Sequence, residues 1–153
     1  ASQVRLAWGE RLDAVLPDEV VLRGHAIEAR IYAEDPVRFF PSPGPLRTLR
    51  LPAGEGIRVE TGYAEGSKIT PFYDPMIGKL IARGESRAEA IARLLDALDA
   101  TVVEGVKTNI PFIRQVLLSP EFAGGDVHTG LGAQVLARAK DAAAAKRDSL
   151  ANV

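Results

Sequence analysis

Hydrophobic and polar residues alternate along the first half of the chain as they do in half-buried β-strands. In HAIEARIY (25–32), one side carries His25, Ile27, Ala29 and Ile31, and the other carries Glu28, Arg30 and Tyr32. Further short strands are predicted at 46–51, 57–61, 68–70 and 76–82, separated by turn-forming residues. The proline-rich segment 34–46 is predicted to be a loop outside any sheet, because proline cannot donate to a ladder.

The period changes to that of α-helices after residue 85. Ser86 with Glu89 predicts a capping box, followed by one apolar stripe made of Ile91, Leu94, Leu95 and Leu98. Asn109 is predicted to cap a second helix, and Pro120 and the Gly124–Gly125 pair are predicted to end that unit. TVVEG (101–105) reads as one more strand. The segment 4–8, closed by Gly9, reads as the last turn of a helix, and an alanine-rich helical tail is expected from Leu131. The pattern predicts an α+β fold, with a small antiparallel sheet or half-barrel (barrel-sandwich-like) followed by packed helices.

Composition narrows the function. The chain has 153 residues, a formal net charge of −1, no cysteine and two histidines, His25 and His128. These values exclude disulfides and cysteine-based zinc sites, and they argue against a nucleic-acid partner and a histidine metal cluster. No apolar run reaches the length of a membrane span, so we expect a cytoplasmic protein without a membrane partner. The start without Met, already in helical periodicity, suggests a piece of a longer polypeptide.

Arg58 is the most conspicuous candidate for chemistry, since it lies between Ile57 and Val59 in a predicted strand. It is either an arginine on a solvated strand face or a clamp for an anion. Other polar candidates have structural interpretations. Glu28 and Glu60 are interpreted as surface charges paired with arginines, and Asp74 as a turn former. Phe72 and Tyr73 are interpreted as packed aromatics. His25 is interpreted as a core histidine, and His128 as a residue that orders the loop before the tail. We find no phosphate-binding loop, magnesium-type carboxylate pair or nucleophile with a base.

Several segments, in the same order, resemble the C-terminal domain of biotin carboxylase, the ATP-dependent component of biotin-dependent carboxylases. They are GHAIEARIYAEDP, FFPSPGPL, RVETGYAEGSKITPFYDPMIGKLI, KTNIPFI and HTG. The resemblance implies a domain at 1–131 and an alanine-rich helical tail or linker at 132–153. EARIYAEDP and YDPMI are most similar to the alpha subunits of acyl-CoA carboxylases of the propionyl-CoA or 3-methylcrotonyl-CoA type.

The resemblance also implies roles for individual residues. The family's arginine in a Val/Ile-Arg-Val/Trp-Glu/Asp motif contacts bicarbonate and the ureido group of biotin, and the matching residue is Arg58. A guanidinium there would stabilise negative charge on the ureido oxygen. Residues near GESR contribute to dimer interfaces in the family, so Glu85 and Arg87 are candidate interface residues in a homo-oligomer.

The remaining machinery of the family is expected N-terminal to this chain, in an ATP-grasp part that binds ATP and magnesium. The implied partners are that part, a biotin carboxyl carrier domain and a carboxyltransferase subunit, which selects the acyl acceptor. We therefore expect the isolated chain to be inactive. Two alternatives remain open. The chain is a non-catalytic dimerisation module, or it is a biotinyl or lipoyl carrier-like domain with Lys79 as the modified lysine, although Lys79 lies inside a predicted strand.

Overall fold

The computed structural model describes residues 2–16 and 19–151. Its strands are β1 (His25–Tyr32), β2 (Gly44–Pro45), β3 (Thr48–Arg50), β4 (Ile57–Thr61), β5 (Lys68–Ile69), β6 (Met76–Gly84) and β7 (Val102–Glu104). Its helices are α1 (Ser2–Ala7), α2 (Leu12–Val15), α3 (Arg87–Ala100), α4 (Ile110–Leu117), α5 (Pro120–Gly124) and α6 (Leu131–Ala151). The mixed content and the small antiparallel sheets confirm the predicted fold class.

Strand β6 is the centre of a three-stranded antiparallel sheet with the order β1-β6-β4. The register places Leu80 opposite Ala29 on one side and Val59 on the other. These residues point toward α3, and Ala29 and Leu80 lie in the same buried cluster as Leu94 of that helix. The alternation predicted for β1 is confirmed, because Ile27, Ala29 and Ile31 are buried while Glu28 and Arg30 are exposed.

Helix α3 begins as the sequence predicts. The Ser86 hydroxyl accepts a hydrogen bond from the Glu89 N–H at 3.2 Å. The Glu89 carboxylate accepts from the Glu85 N–H at 2.8 Å, one residue before the position that the capping box specifies. The helix is therefore fixed directly behind the end of β6.

The prediction for the proline-rich segment needs correction, and the prediction for the end of the helical unit is confirmed at Gly124–Gly125 but wrong at Pro120. Gly44–Pro45 forms β2 and pairs with β5. The pairing needs no N–H from a proline, because the Leu46 N–H donates to the Ser67 carbonyl at 2.8 Å. Pro120 does not end the helical unit but begins α5, where its missing N–H costs nothing. The left-handed Gly125, with φ of 85°, ends that helix.

Both ends of the chain carry the predicted helices. Gly9 follows α1 with a φ of 89°, the conformation expected of a glycine after a helix. Helix α6 begins at Leu131, and Leu131 and Val135 are buried. Among the described residues, no helix combines the length and the apolar character that crossing a bilayer requires.

The contact between α3 and the sheet predicts a measurable stability effect. Replacing the fully buried Leu94 with alanine should lower the free energy of unfolding by about 2–5 kcal/mol, because the change leaves a cavity under β1. The same change at the exposed Leu22 should alter it by less than about 0.5 kcal/mol. Urea unfolding of the three proteins tests this, and equal midpoints would contradict the packing described here.

Candidate functional site

The outer face of the three-stranded sheet is covered by charged side chains. We call this set the charged face, and it consists of Glu28, Arg30, Arg58, Glu60, Lys79 and Arg83. The register arranges most of them in two rows across the strands. One row is Arg30–Lys79–Glu60, and the next is Glu28–Ile81–Arg58. The same alternation that buries the inner face places these side chains together.

Arg58 lies on this outer face, as the sequence predicts, with 69% of its side chain exposed. Its guanidinium approaches the Glu60 carboxylate at 3.3 Å. A shallow groove of about 440 Å³ runs beside it, with Arg83 among the lining residues and Ile81 in its floor. The pairing with Glu60 confirms that Glu60 is a surface charge paired with an arginine.

Arg30 is held by a shorter contact to its carboxylate partner than Arg58 is. Its Nε donates to the Glu28 carboxylate at 2.9 Å, which confirms the predicted pairing of Glu28. That hydrogen bond lowers the pKa of Glu28 below its usual value. Hydrogen bonding with Glu28 and, to a smaller extent, with the Tyr32 side chain raises the pKa of Arg30. The Arg30 guanidinium is therefore oriented by Glu28 before any ligand arrives.

The aromatic turn at 71–75 lies at one end of the charged face. Asp74 accepts a hydrogen bond from the Met76 N–H at 2.9 Å, which confirms it as a turn former. The prediction that Phe72 and Tyr73 pack is wrong for the described chain, because they are 86% and 81% exposed. The turn projects past the end of the sheet, so no described element covers the two rings.

The rows differ in their distance from this turn. Met76, which follows the turn, pairs with Tyr32, and the row that contains Arg30 comes next. Arg58 lies in the row beyond, a further two residues or roughly 7 Å along the strands. If the aromatic turn forms one end of a ligand site, Arg30 and Lys79 are therefore closer to that end than Arg58.

The loop that follows β1 is anchored beside the same turn. The Ala33 N–H donates to the Pro75 carbonyl at 2.8 Å. Asp35 then accepts from the Lys107 ammonium at 2.9 Å and from the backbone N–H groups of Val37 and Arg38 at 3.0 and 2.9 Å. These bonds together hold the pKa of Asp35 well below its usual value.

The two histidines have different outcomes. The prediction that His25 is a core histidine is wrong, because it lies at the first position of β1, opposite Gly84 at the end of the ladder, where it is exposed. His128 orders the turn before α6 as predicted, since its Nδ1 accepts from the Gly130 N–H at 3.1 Å.

The two candidate interface residues lie at the start of α3. Glu85 is exposed and approaches Arg83 at 3.3 Å. Arg87 binds within the chain, because it donates to the Phe122 carbonyl at 2.9 and 2.7 Å and its guanidinium lies 4.6 Å from the centre of the Phe122 ring. Their role between subunits stays a prediction.

Sequence reasoning misjudged Asn109. It stands at the predicted N-cap of α4, yet its side chain makes no capping bond. Instead, its carboxamide binds the backbone of Arg30 and Tyr32, far away in the sequence. Asparagine suits both tasks, so no local signal distinguishes them.

The comparisons with known proteins show the family of the chain and bear on its fold. Residues 28–134 match the family model of the biotin carboxylase C-terminal domain. The chain therefore belongs to the biotin carboxylase C-terminal domain family. It is 54% identical over 127 residues to a biotin carboxylase of Halalkalibacterium halodurans, and 44% identical over 115 residues to the mitochondrial propionyl-CoA carboxylase alpha chain of Mus musculus.

Among solved structures, the fold is similar to the biotin carboxylase domain dimer of Hydrogenobacter thermophilus 2-oxoglutarate carboxylase, in complex with MgADP, ADP and bicarbonate. The TM-score is 0.80 at 38% identity, covering 88% of this chain and 30% of that one. The H. halodurans match covers 83% of this chain and 28% of the relative, and the mouse match covers 73% and 16%. The chain thus spans less than a third of the length of these proteins.

Asp35 predicts a pH dependence of stability. Because its pKa is depressed in the folded state, its contribution is fully present above about pH 5 and is lost progressively as the pH falls from its unfolded value of about 4 toward its lower folded value. Asp35→Asn should therefore lower the melting temperature most between pH 6 and 7, and this difference should shrink progressively as the pH falls below about 4. A difference that stays constant would contradict the assignment. Asp126→Asn, at an exposed aspartate, is the charge-matched control.

Proposed function

We propose that this chain is the C-terminal domain of a longer biotin carboxylase polypeptide, an ATP-dependent ligase that carboxylates biotin with bicarbonate. Residues 1–131 form the domain, and 132–153 form a helical tail or linker. The observation that carries the proposal is the charged face, which presents three arginines and a lysine on a rigid sheet in a chain of this family. The mammalian relative supports an acyl-CoA as the final acceptor.

The charged face suits one part of the reaction. Biotin must lose its ureido proton to be carboxylated, and the ureido oxygen then carries negative charge. A guanidinium fixed beside that oxygen stabilises the charge most when a covering surface excludes water. Arg58 is the residue that the family motif suggests. Arg30 is the second candidate, because Glu28 orients it and it lies closer to the aromatic turn.

The nucleotide and its metal ion belong to another part of the proposed polypeptide. Among the side chains that the structure describes, in residues 2–16 and 19–142, no three His, Asp or Glu lie together as a metal site requires. The side chains described therefore do not fit a magnesium nucleotide site. The bound MgADP of the H. thermophilus 2-oxoglutarate carboxylase domain supports the use of ATP by the whole enzyme.

The proposed partners follow from the same assignment. They are the ATP-grasp part of the polypeptide, a biotin carboxyl carrier domain, a carboxyltransferase subunit and a second copy of the enzyme, with the cytoplasm as the predicted compartment. The dimeric H. thermophilus domain supports the homo-oligomer. Glu85 remains the freer interface candidate, since Arg87 is already bound to Phe122.

Replacing the two arginines tests the site in the full-length enzyme. We expect Arg30→Ala and Arg58→Ala each to lower biotin carboxylation by at least about 10²-fold, the scale of losing one oxyanion-stabilising donor. Arg58→Lys should recover only part of the rate, because an ammonium lacks the planar fork. ATP affinity and melting temperature should stay close to wild type, because both side chains are exposed.

Arg50→Ala is the matched control, since Arg50 is exposed on β3 outside the charged face. A loss at only one of the two arginines assigns the contact to that residue and removes the other from the proposal. Near-normal carboxylation in both variants would overturn the proposed site and favour the non-catalytic dimerisation module.

The carrier-domain alternative makes a separate prediction about Lys79. A carrier lysine must project from a hairpin tip, whereas Lys79 lies in the middle of the central strand, between Arg30 and Glu60. Lys79 should therefore remain unmodified when the chain is coexpressed with a biotin ligase. Intact mass spectrometry measures this, with a known biotin carrier domain as the positive control. A mass increase of one biotin that disappears in Lys79→Arg would establish the carrier function.

A further inference from the structure

Asn109 joins the start of α4 to the free edge of β1 through three hydrogen bonds. Its Oδ1 accepts from the Tyr32 N–H at 2.9 Å, and its Nδ2 donates to the Arg30 carbonyl at 3.0 Å. Its own backbone N–H donates to the Tyr32 carbonyl at 3.2 Å. Only 7% of the residue is exposed. These are the bonds that a neighbouring strand would make, so Asn109 takes the place of a strand at this edge.

The segment that Asn109 holds is irregular. The register of β1 against β6 shifts between Ile31, which pairs with Gly78, and Tyr32, which pairs with Met76. Such bulges bend a strand and change the direction of its side chains, and they are frequent beside active sites. Because Asn109 binds the residues on both sides of the shift, it fixes the directions in which the Arg30 and Tyr32 side chains project from the backbone.

We propose that Asn109 is a positioning residue of the carboxylation site. Its carboxamide fixes the backbone at Arg30 and Tyr32, and thereby directs the Arg30 guanidinium in the charged face. The inference rests on the proposed function, because it requires Arg30 to contact the substrate. Glu28 orients the guanidinium by a hydrogen bond to the side chain of Arg30, and Asn109 orients it by a hydrogen bond to the backbone of Arg30.

Asn109→Asp in the full-length enzyme removes one of these bonds with almost no change of shape. The aspartate keeps an acceptor for the Tyr32 N–H but places an oxygen against the Arg30 carbonyl. We expect kcat for biotin carboxylation to fall about 10-fold to 10²-fold, since small displacements of a positioned group have effects of this size. KM for ATP should stay within about twofold, because the proposed function places the nucleotide site in another part of the polypeptide.

Ser119→Ala is the matched control for a merely structural effect. Ser119 is 6% exposed and caps α5, where its hydroxyl accepts from the Phe122 N–H. Its loss removes a buried hydrogen-bonding group without touching β1 or the charged face. Both variants are assayed well below their melting temperatures. Equal losses of kcat in Ser119→Ala and Asn109→Asp would overturn the positioning role.

A double-mutant cycle with Arg30→Ala decides whether Asn109 acts through Arg30. The inference predicts that the double variant is no slower than Arg30→Ala alone. Multiplied losses would overturn the inference and leave the proposed function intact. Near-normal activity of Arg30→Ala would instead remove Arg30 from the proposed site, and the inference with it. If Asn109→Asp does not fold, the neutral Asn109→Ser enters the same cycle.

Discussion

The pairing of β6 with strands on both sides is the constraint on which the rest of this domain depends. Its register with β1 and β4 decides which side chains share a row, and the period of two sends them to opposite faces. One face is closed by α3, whose cap lies directly after β6. A shift of one residue in β6 would bury the charges and expose the core. Core and charged face are therefore two results of one register.

Stability does not explain the charged face. Its ion pairs, Arg30 with Glu28 and Arg58 with Glu60, are exposed, and pairs of this kind contribute about 0–1 kcal/mol. Water screens these guanidiniums in the isolated chain. Their effect on a bound anion would grow once a second surface excluded water. The chain spans less than a third of the length of its relatives, and under the proposed function another part of the polypeptide would cover these oriented charges.

The sequence predicted the elements whose causes are local. The bounds of β4, the alternation of β1 and the Ser86 cap of α3 follow from periodicity and capping chemistry, and all three are confirmed. The errors lie where distant neighbours decide. Gly44–Pro45 joined a ladder because β5 came to lie beside it, and His25 is exposed because its ladder ends there. The position of Arg58 was predictable, but the closer approach of Arg30 to the aromatic turn required the register.

Asn109 shows why such neighbours matter for chemistry. A strand at the edge of a sheet leaves its outer N–H and C=O groups without partners, and buried groups of this kind cost free energy unless they are satisfied. Here a carboxamide at the start of a helix satisfies them, so the helical half of the domain is bonded to the strand that carries Arg30. Changes in α4 can therefore reach the charged face without contacting it. Because the bonded atoms belong to the backbone, the coupling survives any change of side chain at Tyr32 and depends on Asn109 itself.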